Sequence, residues 1–184
     1  STRVRSSAAS DVYKRQVLLI NGSPRKQGNT FLALSEVASA LEKQGITTEI
    51  VSIGTKAVQG CIACNKCGEL GRCVFRDELY DTLHGKLAGA DGLVVGSPTY
   101  NGQLYPPVDA LLRKIAERCI PHRRFACFGS FTWAGAAVRR MTEFAEGMKW
   151  PVVGAPVELK QGYSTAVEPA CRTLVDALIE DMKR

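Results

Sequence analysis

At 184 residues, 45% hydrophobic and 23% charged, the chain has the composition of an ordinary globular protein with one sizeable core. No apolar run approaches the roughly 20 residues that cross a bilayer, and no secretory-type apolar stretch opens the chain, so the expectation is a cytoplasmic protein with no membrane partner. The formal charge of +6 includes no dense basic stripe with interleaved aromatics, which argues against a nucleic-acid partner.

Residues 1–16 are polar, rich in Ser and Ala, and lack an apolar period. They resemble a translated library-adaptor sequence and are expected to be a non-native or disordered segment, the competing reading being a flexible basic arm. Setting aside Arg3, Arg5, Lys14, Arg15 and Asp11 lowers the formal charge from +6 to +3. Residues 17–184 are expected to form one domain. Val17–Ile20 is a continuous apolar run of the kind buried on both faces of a parallel sheet. Apolar residues then recur at helical spacing from Thr30 to Gln44, where Gly45 stops the helix. Thr47–Ile53 predicts a second strand, and a cysteine-rich loop occupies 55–76. Asp77 is a candidate N-cap for a helix through about Leu87. A third strand follows at Leu93–Val95, a loop over Ser97–Gly102, and a helix over Val108–Arg118. Arg124–Gly129 predicts a fourth strand, Gly135–Gly147 a helix, Pro151–Leu159 a fifth strand and Val167–Met182 a closing helix. Five alternations of strand and helix predict an α/β fold, a doubly wound parallel sheet with helices on both faces.

Four of the seven cysteines fall in one short run: Cys61, Cys64 and Cys67 at two-residue spacing, then Cys73. Short spacers turn successive thiolates toward a common centre, and this spacing suits a [4Fe–4S] cluster. Zinc and a metal-free loop stay open as alternatives. Cys119, Cys127 and Cys171 are scattered, and Cys127 lies in an apolar run typical of core. His84, on a predicted helix, and His122, in a loop, are better read as surface or packing residues than as ligands.

Ligands of doubly wound sheets bind beyond the C-terminal strand ends, where three loops of unusual composition converge. Gly22–Thr30 joins the first strand to a helix N-terminus, whose free N–H groups favour an anion. Ser23, Arg25, Asn29 and Thr30 add donors and charge, with Lys26 a second cation. The loop is neither a dinucleotide fingerprint nor a Walker motif. In the second loop, Pro98, Thr99, Tyr100, Asn101 and Gly102 combine a flat aromatic face with polar groups for the edge of a ring. In the third, Trp133 is a second stacking candidate, with Ser130 and Thr132 as hydrogen-bond partners. Taken together the three loops suit a mononucleotide with a planar ring.

On these motifs the chain resembles the FMN-binding reductases of flavodoxin fold, and with its cysteine run the iron–sulfur flavoprotein family. Gly22-Ser-Pro-Arg-Lys-Gln-Gly-Asn-Thr30 is similar to that group's phosphate loop and Ser97–Gly102 to its isoalloxazine loop, while Cys61, Cys64, Cys67 and Cys73, followed by Asp77-Glu78, resemble its cluster motif. The segment from Phe128 to Val157 instead resembles the flavodoxin domain of flavodiiron proteins. The resemblance implies a flavodoxin-like, three-layer five-stranded fold, noncovalent FMN, a [4Fe–4S] cluster, a donor such as ferredoxin or NAD(P)H, and a homo-oligomer. It implies electron transfer carried by the cofactors, with no catalytic side chain. The competing readings are an NAD(P)H-dependent FMN or quinone reductase without a cluster, and a zinc-stapled binding module without redox chemistry.

Overall fold

The computed structural model describes residues 15–116, 124–161 and 167–184. Along them lie β1 (Gln16–Asn21), α1 (Asn29–Glu42), β2 (Thr47–Ser52), α2 (Cys67–Leu70), α3 (Glu78–Gly89), β3 (Gly92–Tyr100), β4 (Gln103–Leu104), α4 (Pro106–Ala116), β5 (Arg124–Phe131), α5 (Ala137–Gly147), β6 (Val157–Lys160) and α6 (Glu168–Lys183). Five strands pair in parallel in the order β2-β1-β3-β5-β6, the doubly wound order of flavodoxins. The sixth, β4, folds back antiparallel on the end of β3.

Strand alternation sorts the core into two layers. Leu18, Ile20, Leu93, Val95, Phe125 and Cys127 face α3, α4 and α5, whereas Val17, Leu19, Val94, Ala126 and Phe128 face α1 and α6. The central strands are therefore buried on both sides, which is why they read as unbroken apolar runs.

Several boundaries differ from the sequence expectation, each for a local reason. Arg15 and Gln16 take part in the sheet: the Arg15 carbonyl accepts from Thr47 N at 2.9 Å, and Gln16 N–H donates to Asp91 Oδ2 at 2.8 Å. Residues 1–14 lie outside the described residues, as do His122, Cys119 and the last two residues of the helix expected over Val108–Arg118. The third strand runs on to Tyr100, because Asn101 and Gly102 adopt positive φ (51° and 69°) and close a tight hairpin onto β4. The fifth strand of the sheet is shorter than Pro151–Leu159. Only an isolated bridge, Phe125 to Val152, precedes a turn at Gly154, where φ is 72° and an added Cβ would stand 2.9 Å from Leu174 Cδ1. Helix α5 starts two residues later than Gly135, where Thr99 Oγ1 accepts from Ala136 N at 3.3 Å and Ala137 N at 3.2 Å.

Candidate functional site

The loop after β1 is built around buried Asn21. Its Nδ2 donates to Ser52 Oγ at 3.2 Å and its Oδ1 accepts from Ser23 N at 3.1 Å. Ser23 Oγ in turn accepts from Arg25 N at 3.2 Å, coiling the chain back on itself. Gly22 N–H donates to Gly96 O at 2.8 Å, and a Cβ on Gly22 would stand 2.6 Å from that oxygen and 2.4 Å from Val108 Cγ2. Only glycine lets the loop approach β3 this closely. Helix α1 then opens on Gly28, with no side chain capping its first N–H groups. Those donors remain available to an anion.

This N-terminus borders a cavity of about 320 Å³, within the size range of small-molecule sites. Nine of the expected cofactor residues line it: Ser23, Arg25, Asn29 and Thr30 from the first loop and the start of α1, Pro98, Thr99 and Tyr100 from β3, Ser130 from the end of β5, and Thr132 just after it. Thr30 Oγ1 and Ser130 Oγ lie 3.4 Å apart across it. The hydroxyl of Thr99 is already engaged by the start of α5. Asn101, Gly102 and Trp133 do not line the cavity; the Trp133 side chain is 92% exposed.

Gly28, Phe131 and Gln161 line the cavity too, beyond the residues assigned from sequence. Gln161 follows β6 with φ 57°, and its N–H donates to Phe131 O at 2.8 Å. A signal for it existed: the loop after the fifth strand ends at the same sheet edge as the other three. Phe131 reaches the cavity because β5 runs two residues further than the expected Arg124–Gly129.

The cysteine loop leaves β2 at the same edge. Tyr105 connects the two regions, its ring edge-on to Tyr100 with centroids 5.5 Å apart and its hydroxyl donating to Gly54 O at 3.3 Å. Cys61, Cys64, Cys67 and Cys73 all border one small cavity of about 20 Å³, together with Lys114 from α4. None of the six described cysteines is in a disulfide, and Cys61 and Cys64 are exposed. Among the described residues no three His, Cys, Asp or Glu side chains are gathered as ligands of one metal ion. The donor set is thiol only, the set preferred by iron–sulfur clusters. Its backbone also suits one: Ala63 and Asn65 take left-handed φ (53° and 56°), and Ala63 N–H donates to Cys61 Sγ at 3.4 Å. Left-handed residues of this kind turn N–H groups into a concavity that favours anions, as in many iron–sulfur sites.

Burial pushes the Tyr80 phenol up to about 12, against a smaller lowering by the Cys73 backbone. Its hydroxyl is buried there without a well-formed hydrogen bond, and it stays neutral. Burial likewise raises the Cys127 thiol to about 12 and raises Cys171, so neither is a reactive thiol.

The sequence profile of the family described as NADPH-dependent FMN reductase matches residues 15–156. The chain belongs to that family. Among curated relatives it is 40% identical over 108 residues to an iron–sulfur flavoprotein of Methanocaldococcus jannaschii, a match covering 59% of this chain and 53% of the relative. The chain spans about half the length of the curated relatives it matches. Among solved structures, an archaeal flavodoxin superposes with a TM-score of 0.68 at 16% identity, covering 92% of this chain and 99% of its own. The rubredoxin oxygen:oxidoreductase of Desulfovibrio gigas gives 0.68 at 20% identity, covering 94% of this chain and 38% of that one. These two likenesses establish the flavodoxin-like fold of this family member. No helix among the described residues is long and apolar enough to cross a membrane.

Proposed function

We propose that this chain is a flavin-dependent oxidoreductase that binds FMN in the sheet-edge cavity and a [4Fe–4S] cluster on Cys61, Cys64, Cys67 and Cys73, and that moves electrons between them. The observation that carries the reading is the shared edge: the phosphate-type loop, the Tyr100 strand end and the four-thiol loop meet there, bridged by Tyr105. When bound, FMN exchanges one or two electrons and the cluster one at a time. The chain's own residues position them. Ser23, Arg25, Asn29 and Thr30, with the open end of α1, hold the phosphate by charge-assisted hydrogen bonds. Pro98, Thr99, Tyr100, Ser130 and Thr132 face the ring, Asn101 and Gly102 hold the hairpin that sets Tyr100, and the exposed Trp133, next to Thr132 in the chain, is the second stacking candidate for the ring. Four thiolates at short spacing hold the cluster, which calls for a reducing cytoplasm.

For partners we propose a donor such as ferredoxin or NAD(P)H and assembly as a dimer or tetramer, as the resemblance to iron–sulfur flavoproteins implies. The test is an anaerobic absorption spectrum with FMN, iron, sulfide and zinc quantified per chain. The expected result is one FMN and about four irons. A yellow protein without iron, bleached by NADPH alone, would establish the second reading, a cluster-free NAD(P)H-dependent FMN or quinone reductase, which the family's description favours. A colourless protein with zinc would leave only the stapled binding module.

A further inference from the structure

Helix α4 carries a lysine where an apolar residue would be the ordinary choice. Lys114 is 1% exposed, among Leu111, Leu112 and Ile115 on the buried side of the helix. A buried ammonium is costly unless paired, so a fold that keeps one there has a use for its charge or cannot replace it. Two groups hold it. Asp77 Oδ2 accepts from Nζ, and the Tyr80 ring centroid lies 5.1 Å from Nζ, a cation–π contact.

Asp77 does not belong to Lys114 alone. Its Oδ1 accepts from Tyr80 N at 2.8 Å as the N-cap of α3, so the helix end already stabilises its negative charge. The Asp77 carboxylate is thus compensated from two sides, while Lys114 borders the cavity that all four loop thiols line. Thiolates crowded into one site repel each other, and a low-dielectric wall bearing a cation relieves that repulsion at short range.

We propose that Lys114 is a positioning residue for the cysteine site, a buried counter-charge that sets the reduction potential of the group held by Cys61, Cys64, Cys67 and Cys73. The inference rests on the cluster reading given above. One-electron reduction adds a negative charge to a thiolate-ligated cluster, so a fixed cation beside it favours the reduced form and raises the potential. Asp77, the partner of opposite sign, works against it.

The two residues make a test that separates charge from scaffolding. Wild-type, Lys114→Met and Asp77→Asn chains are purified anaerobically, iron and sulfide are counted, and the cluster is titrated with dithionite in the presence of mediator dyes. Asn is as good an N-cap as Asp, so Asp77→Asn keeps the start of α3. The expected shifts have opposite signs: a lower potential in Lys114→Met and a higher one in Asp77→Asn, with iron content kept in both. Unchanged potentials, or shifts in the same direction, would overturn the proposal and leave Lys114 a packing residue. Should Lys114→Met fail to fold, Asp77→Asn decides alone, and a potential equal to or below wild type overturns the idea. Absence of iron and sulfide from the wild-type chain would overturn the cluster reading itself, and this inference with it, an outcome visible before any variant is compared.

Discussion

Thr30 is where the phosphate assignment can be tested most cleanly. It is 3% exposed in the first turn of α1, its hydroxyl faces Ser130 across the cavity, and its methyl packs on the other side against β3: a Cβ on Gly96 would come within 2.5 Å of Thr30 Cγ2. Thr30→Val keeps the branched shape and that packing while removing only the hydroxyl. The contact with Ser130 is long at 3.4 Å, so its loss costs little on its own. A hydrogen bond to a charged phosphate contributes about 1.5–3 kcal/mol, so the FMN dissociation constant is expected to rise about 10- to 150-fold. Riboflavin has no phosphate and should bind the variant within about 2-fold of wild type, far below the 1.4 kcal/mol that a tenfold change represents. Fluorescence titration of the flavin-free protein with each ligand measures both constants. Equal weakening of the two would refute the assignment of this loop to the phosphate, and an unchanged FMN affinity would remove Thr30 from the site.

Trp133→Ala should behave in the opposite way, weakening FMN and riboflavin alike by about 2- to 10-fold, the worth of one ring contact, while the melting temperature stays put because the side chain touches little. Cys64→Ala should abolish the iron–sulfur absorbance yet leave FMN bound, since loss of a ligand in an exposed loop spares the sheet; loss of flavin along with iron would show that the sites are not separable. Gly96→Ala should destabilise the fold by about 1–3 kcal/mol in denaturant and weaken FMN, because the new methyl meets both Thr30 and the Phe128 ring, 3.1 Å away. Alkaline pH supplies a last check. The Cys127 thiol is raised from 9.0 to about 12 in the folded chain, so its contribution is complete below pH 9 and is lost between 9 and about 12, as the unfolded chain alone gives up its proton. Denaturation midpoints should fall across that interval, less steeply in Cys127→Ala; parallel slopes would contradict the assignment.

Much of the fold was legible because it rests on local signals. Val17–Ile20 and Leu93–Val95 read as buried strands since a strand covered on both faces has no polar alternation to hide it. Asp77 was legible as an N-cap for the same local reason, and it does accept from Tyr80 N. The hairpin at Asn101-Gly102 carried a usable signal, the Asn-Gly pair, yet the strand before it looked finished at Val95 because Gly96 and Pro98 are poor strand formers on their own. They are held extended by β5, whose residues Phe128 to Ser130 pair with Gly96 to Pro98.

The site divided in the same manner. Residues within one loop, such as Ser23 to Thr30 or the four cysteines, announce themselves by spacing, because their partners are near neighbours along the chain. Gln161, Phe131 and Lys114 did not, since each acquires its place only when a distant strand or helix is brought alongside. Thr99 has the right chemistry for a ring contact, but its hydroxyl is taken by Ala136 and Ala137, far along the chain. Amino-acid order alone determined the alternating α/β plan and the motif chemistry, because periodicity and loop composition are short-range properties. Tertiary packing decided which polar atoms remain free to meet a ligand and which charge lies beneath the cysteines, because both depend on contacts between segments that no local pattern encodes.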